Sequence, residues 1–259
     1  MNPTGNAQAA VAFCEVSFRR GAHEILDGVT FAIAPGEFIG IIGGNGAGKS
    51  TLLQLTLGLL APSGGTVQIF DDEPRRKHRP IGYVPQRLEF DRDFPLRARD
   101  FVALGVDGER FGLPLPSRAR TQRVDAALHD VGALALANKP VGRLSGGEQQ
   151  RLAIAQAVVG RPGLLLLDEP LANLDLGSSV DIVALVGGIA RERGMTVLLV
   201  AHDVNPLVRA IDRVLYLANG HAALGTVDQI INEDVLSRLY DRPVDVLRVR
   251  GRIIVVAGT

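Results

Sequence analysis

Gly43-Gly44-Asn45-Gly46-Ala47-Gly48-Lys49-Ser50-Thr51 stands between the apolar run Phe38 to Ile42 and the helical pattern Leu52 to Leu60. This is strand, glycine-rich loop, helix, the context in which G-x-x-x-x-G-K-[ST] reads as a phosphate cradle. A chance match in a chain of this length is on the order of one in a hundred at ordinary glycine usage. Gly43, Asn45, Gly46, Gly48, Lys49, Ser50 and Thr51 are therefore the candidate phosphate contacts. Glycines let the backbone close around an anion, and the amides of Ser50 and Thr51 add the positive end of the helix dipole. Only three of the 28 basic residues are lysine, so Lys49 is not what this composition supplies by default. A compact ammonium on a flexible stem suits the terminal phosphates, and the Ser50 hydroxyl suits Mg²⁺.

Working outward, 259 residues with 46% hydrophobic content can bury a sizeable core, as one large domain or two lobes. No apolar run approaches the roughly 18 residues needed to span a bilayer, and Met1 to Ala10 lacks the charged and apolar regions of a signal peptide. The expectation is a protein that stays in the cytoplasm. One cysteine, Cys14, excludes an internal disulfide and is expected to be a small buried strand residue. Twenty-eight acidic residues balance the 28 basic ones, which gives no electrostatic reason to expect nucleic acid as the main partner.

Val11 to Phe18 and Val29 to Ile33 read as strands of an antiparallel β lobe, with turn signals at Gly21, Asp27-Gly28 and Pro35-Gly36. Phe38 to Ile42 has the continuous apolar character of a buried parallel strand. Thr66 to Phe70 and Ile81 to Val84 add strands around a charged loop, Asp71 to Arg79. From about residue 87 to 161 the pattern changes to an inserted helical lobe. It has breaks such as Gly112-Leu113-Pro114, one clear helix at Arg118 to Val131, and an amphipathic helix in Leu144 to Val159 capped by Ser145 and stopped at Gly160. Leu164 to Leu167 is a buried strand, Leu176 to Arg193 a helix, Met195 to Val200 a buried strand and Val204 to Ala210 a short helix. The tail adds strands at Arg213 to Leu217 and Ala222 to Leu224, helices at Val227 to Ile231 and Val235 to Tyr240, and a hairpin turning at Arg250-Gly251. Strands alternating with helices make this an α/β fold with a doubly wound parallel sheet around the phosphate loop. The whole of 1–259 reads as one domain with the helical lobe inserted.

Leu164 to Leu167 is followed by Asp168 and Glu169, two carboxylates just past the carboxyl end of a buried strand, where open α/β sheets bind ligands. Alone, the pair could be a solvated turn. Beside a phosphate loop it reads as a metal-and-water site, with Asp168 for Mg²⁺ and Glu169 to polarise the attacking water. Leu144-Ser145-Gly146-Gly147-Glu148-Gln149-Gln150-Arg151 exposes amides and a hydroxyl at a helix start, either as an ordinary cap or toward an anion. With Tyr83-Val84-Pro85-Gln86, Ala172-Asn173-Leu174-Asp175 and Val200-Ala201-His202 in this order, the chain resembles an ATP-binding cassette (ABC) ATPase over nearly its whole length.

The resemblance implies that Gln86 senses Mg²⁺ and the coupling lobe, and that Ser145, Gly146 and Gly147 bind the γ-phosphate held by a second copy. It places Asp175 at the dimer seam and His202 on the γ-phosphate, although a lone histidine after a strand is more often a satisfied local residue. Two chains would close around two ATP molecules. Three positions depart from the family pattern: Gly44 stands where proline is common, Glu148 replaces a glutamine, and Arg20 stands where an aromatic commonly stacks on adenine. A guanidinium can also stack on a π face, so Arg20 is the expected adenine platform, with Phe18, two residues away and taken to share its strand face, as the alternative. Phe18 reads equally as core.

Phe90, Phe94, Phe101 and Phe111 in the helical lobe are mostly assigned to core, and any exposed remainder suits a groove for a membrane subunit's helix. Ala201-His202-Asp203-Val204-Asn205-Pro206-Leu207 and the tail with Leu239-Tyr240 and the Gly251 hairpin look most like ATPases of manganese, zinc or iron-chelate importers. This implies a peripheral protein on the cytoplasmic membrane face, working with two membrane permease subunits and an extracytoplasmic substrate-binding protein. The alternatives are a soluble ABC ATPase not coupled to transport and a catalytically idle cassette used as a binding module. The first lacks its usual coiled-coil insertion or second cassette; the second is disfavoured because Lys49, Asp168, Glu169 and His202 are all present.

Overall fold

The computed structural model describes residues 9–70, 72, 81–86, 90–92, 94–107, 117–172 and 174–257. The charged loop 71–79 apart from Asp72, the Gly112-Leu113-Pro114 break, Phe111 and Asn173 lie outside the described residues, as do the first eight positions. In chain order the first elements are β1 (Val11–Arg20), β2 (His23–Ile33), β3 (Phe38–Gly43), α1 (Lys49–Thr56) and β4 (Gly64–Ile69). The middle of the chain forms β5 (Ile81–Val84), α2 (Ala98–Asp107), α3 (Arg118–Asp130), α4 (Gly146–Val158), β6 (Leu164–Leu167) and α5 (Leu176–Arg193). The last part forms β7 (Thr196–Val200), β8 (Arg213–Ala218), β9 (His221–Gly225), α6 (Val227–Ile230), α7 (Glu233–Tyr240), β10 (Val244–Val249) and β11 (Arg252–Ala257). The chain divides into two compact units, one of residues 1–78 with 196–259 and one of residues 79–195.

In the first unit β3 lies between β7 and β8, parallel to both, and β9 closes onto β8 antiparallel. All residues of β3 and β7 are buried, which explains their unbroken apolar sequences. A polar cluster pins the entrance of β3. Arg213 holds Glu37 through two nitrogens, the Ala34 N–H donates to Glu37 Oε2 at 2.6 Å, and the Phe38 N–H donates to Asp212 Oδ2 at 2.7 Å. The antiparallel lobe is a separate sheet, ordered β2-β1-β4. Phe13 and Phe31 stack inside it with ring centroids 4.7 Å apart. Pleating turns Phe13 inward and its neighbour outward, so Cys14 is exposed, contrary to the buried position expected of it.

Two local readings also change. Val204 to Ala210 is a run of hydrogen-bonded turns, because Asp203 Oδ1 accepts from both the Asn205 N–H at 2.9 Å and Asn205 Nδ2 at 2.6 Å and competes with helical bonding. The first α-helix begins at Lys49 and ends at Thr56, ahead of Gly58 at φ 69°. In the tail, β10 and β11 pair as the expected hairpin, and Asn205 holds it by donating to Ile253 O and accepting from Ile253 N–H, both at 2.8 Å.

In the second unit β5 and β6 pair in parallel, and α2, α3 and α4 pack together. The α2 helix is one that the mixed polar pattern of the segment did not reveal. It contacts α4 so closely that a Cβ on Gly105 would lie 2.1 Å from Gln156 O. Phe101 is buried and meets Phe90 edge-on at 5.3 Å, whereas Phe94 is 45% exposed.

Candidate functional site

The phosphate loop is shaped by two close approaches. Gly43, the last residue of β3, pairs with Leu217, and a Cβ there would lie 2.3 Å from Leu217 O. Gly48 sits at φ 96° as the N-cap of α1, where a Cβ would lie 2.9 Å from Leu26 Cδ2. Both positions therefore demand glycine. Between them Gly44, Asn45 and Gly46 are exposed. Lys49 is buried, 6% exposed, and its ammonium donates to Gly43 O at 2.7 Å and Gly44 O at 2.9 Å. The first helical bond runs from the Leu52 N–H to Gly48 O at 2.8 Å. The amides of Lys49, Ser50 and Thr51 thus precede the helical ladder, the arrangement that receives an anion. Ser50 is exposed, and Thr51 is buried beneath it.

In the same unit His202 is exposed one residue past Ala201, whose N–H is tied to Ile41 O at 3.0 Å. Arg20 is exposed at the end of β1 opposite His23, whereas Phe18 is buried opposite Leu26. A register shift between Phe18 and Arg19 breaks the alternation, so Arg20 does not share Phe18's buried face as the spacing suggested.

In the second unit Asp168 follows the fully buried β6 and is itself 7% exposed, with its N–H donating to Val84 O at 2.9 Å. Glu169 adopts φ 50°, a left-handed conformation that costs a non-glycine residue about 1 kcal/mol or more and concentrates at functional sites. Gln86 Nε2 donates to Glu169 Oε2 at 2.6 Å, a pairing between distant sequence motifs. Burial, and then the charge of Asp168, push the Tyr83 hydroxyl above its ordinary pKa.

Ser145 caps α4 in a capping box. Its hydroxyl donates to Glu148 Oε2 at 2.9 Å, its N–H donates to the same oxygen at 2.8 Å, and the Glu148 N–H donates back to Ser145 Oγ at 3.4 Å. The Ser145 backbone bond first, and its side-chain bond second, hold the Glu148 carboxyl below its ordinary pKa. Gly146 and Gly147 face open space, where a Cβ would meet nothing within 4 Å. Asp175 caps α5, accepting from the Ser178 N–H at 2.9 Å and its hydroxyl at 2.7 Å, bonds that hold its carboxyl low. Sequence reasoning missed the Gln86–Glu169 pair and the Ser145 proton donation to Glu148. The glutamate three residues after the serine was a signal for the second; no local pattern marks the first.

A buried lysine thus lies under a glycine loop in the first unit, and a carboxylate pair follows a buried strand in the second. The ABC transporter family matches residues 26–172. The zinc import ATP-binding protein ZnuC of Paramagnetospirillum magneticum is 40% identical over 202 residues, covering 78% of this chain and 71% of the relative. The manganese transport system ATP-binding protein MntB of Halalkalibacterium halodurans is 34% identical over 260 residues, covering 99% of each chain. A structure described as an inward-facing metal-chelate type ABC transporter superposes with a TM-score of 0.80 at 26% identity, covering 96% of each chain. The chain belongs to the ABC transporter family, as an ATP-hydrolysing ATP-binding cassette.

Proposed function

We propose that this cassette hydrolyses ATP to drive uptake of a metal ion or metal chelate through separate membrane subunits. The observation that carries the ATP chemistry is the buried Lys49 ammonium, held by two loop carbonyls behind the exposed phosphate cradle. The direction and cargo class rest on the named functions of the zinc and manganese relatives. Lys49 and the amides from Gly43 to Thr51 bind the β- and γ-phosphates, and Arg20 supplies a cationic platform for adenine. The donor set offered to Mg²⁺ is the Ser50 hydroxyl, the Gln86 amide oxygen and the Asp168 carboxylate, hard oxygen ligands that fit this ion. Mg²⁺, when bound, neutralises charge on the phosphates.

Glu169 takes the proton of the attacking water, and Gln86 orients that carboxylate from 2.6 Å away. His202 contacts the γ-phosphate. Ser145, Gly146 and Gly147 complete the site of a second copy, with Asp175 at the seam of a homodimer enclosing two ATP molecules. The exposed Leu176 and Val180, next to Asp175 on α5, supply apolar area for that seam. The protein works on the cytoplasmic membrane face with two permease subunits and an extracytoplasmic binding protein.

Glu169→Gln tests the base directly. Phosphate release from ATP should fall about 10²- to 10⁴-fold while equilibrium ATP binding is retained. Turnover at the wild-type rate would remove Glu169 from that role.

A further inference from the structure

The tail bearing Leu239-Tyr240 has no part in the chemistry above, yet its tyrosine hydroxyl lies near the phosphate loop. A methyl group built on Gly44 would lie 3.9 Å from the Tyr240 hydroxyl. The Tyr240 and Tyr216 hydroxyls are 3.2 Å apart, their rings edge to face with centroids 6.1 Å apart. Tyr216 is buried on β8, opposite Ile42 and one residue before Leu217, the residue that crowds Gly43. Burial and the Tyr240 contact push the Tyr216 hydroxyl well above its ordinary pKa, so it stays protonated. The Arg242 guanidinium lies 5.7 Å from the Tyr240 ring centre.

We propose that Tyr240, held by Tyr216 beside Gly44, is a positioning residue for the phosphate loop and sets how tightly the loop takes ATP. The carbonyls of Gly43 and Gly44 both accept from the Lys49 ammonium. Packing of β8 confines Gly43, whereas Gly44 is exposed and carries a glycine's backbone freedom without a positive φ. A side chain held beside Gly44 limits the conformations open to the loop and so lowers the freedom it must lose when phosphates bind. The tail helix α7 is thereby a determinant of ATP affinity with no place in the hydrolytic step.

The inference rests on reading Gly43 to Thr51 as the ATP loop, which Lys49→Ala tests separately by calorimetric titration with ATP. On the full-length protein, Tyr240→Ala should raise the ATP Kd and KM about two- to fivefold with kcat unchanged, and Tyr240→Phe should give a smaller rise in the same direction. Adding Gly44→Ala to Tyr240→Ala should recover most of the loss, because alanine fits this φ and restricts the loop. An unchanged Kd in folded Tyr240→Ala overturns the proposal. So does a parallel fall in kcat and thermal midpoint that Gly44→Ala does not rescue, since that pattern belongs to a general loss of fold. ATP binding that survives Lys49→Ala overturns the loop reading itself, whatever Tyr240 does.

Discussion

Arg20 and Phe18 show how one register shift decides which side chain is exposed. Phe18 lies in the core of the β lobe, and Arg20, past the register shift, is exposed. Arg20→Ala should weaken ATP binding about two- to fivefold, the loss expected for an exposed cation–π contact, without lowering the thermal midpoint. Phe18→Ala should instead destabilise the fold by about 3–5 kcal/mol in urea titration. A change in affinity only for Phe18→Ala would reverse the assignment. At Gly43 the constraint is steric: alanine places its methyl group on Leu217 O, so Gly43→Ala should cost on the order of 1–3 kcal/mol in the same titration and impair ATP turnover.

At the scale of elements, α4 shows how a cap commits a hydroxyl to its own helix. Ser145 donates its proton to Glu148 in the structure, so engagement of a phosphate by that hydroxyl competes with the helix's own carboxylate. Glu148 has a lowered folded pKa. Its ionised form therefore contributes stability above its ordinary value of 4.5, and that contribution is lost as pH falls through the lower folded value. Thermal melts from pH 7 down to pH 3 should show this loss in the wild type and a flatter profile in Glu148→Gln; superimposable profiles would remove the cap from the account. The 204–210 segment makes the converse point. Its apolar spacing suggested a helix, but Asp203 and Asn205 bond locally, and Asn205 is committed to the distant Ile253. A side chain with a tertiary partner overrides local periodicity, and no reading of consecutive residues supplies that partner.

For the molecule as a whole, no helix among the described residues is long and apolar enough to cross a membrane. Transport therefore requires partner subunits under the function proposed above. Phe94 and Leu104, 45% and 54% exposed, are candidates to meet a membrane subunit. Replacing both with serine should abolish co-purification with the permease from membranes while leaving ATP binding intact; undiminished co-purification would place the contact elsewhere.

The α/β class, the phosphate loop, β5, β6 and α5 were legible in the sequence, because a phosphate cradle uses consecutive amides and a buried strand is a continuous apolar run. Ser145 as a cap was legible for the same reason, its partner Glu148 lying one helical turn away. The exposure of Cys14, the separate fates of Phe18 and Arg20, the Gln86–Glu169 bond and the approach of Tyr240 to Gly44 were decided only by tertiary structure. Each depends on strand register or on packing between residues distant in sequence, and the free energy that selects them comes from long-range burial, which short-range spacing does not encode.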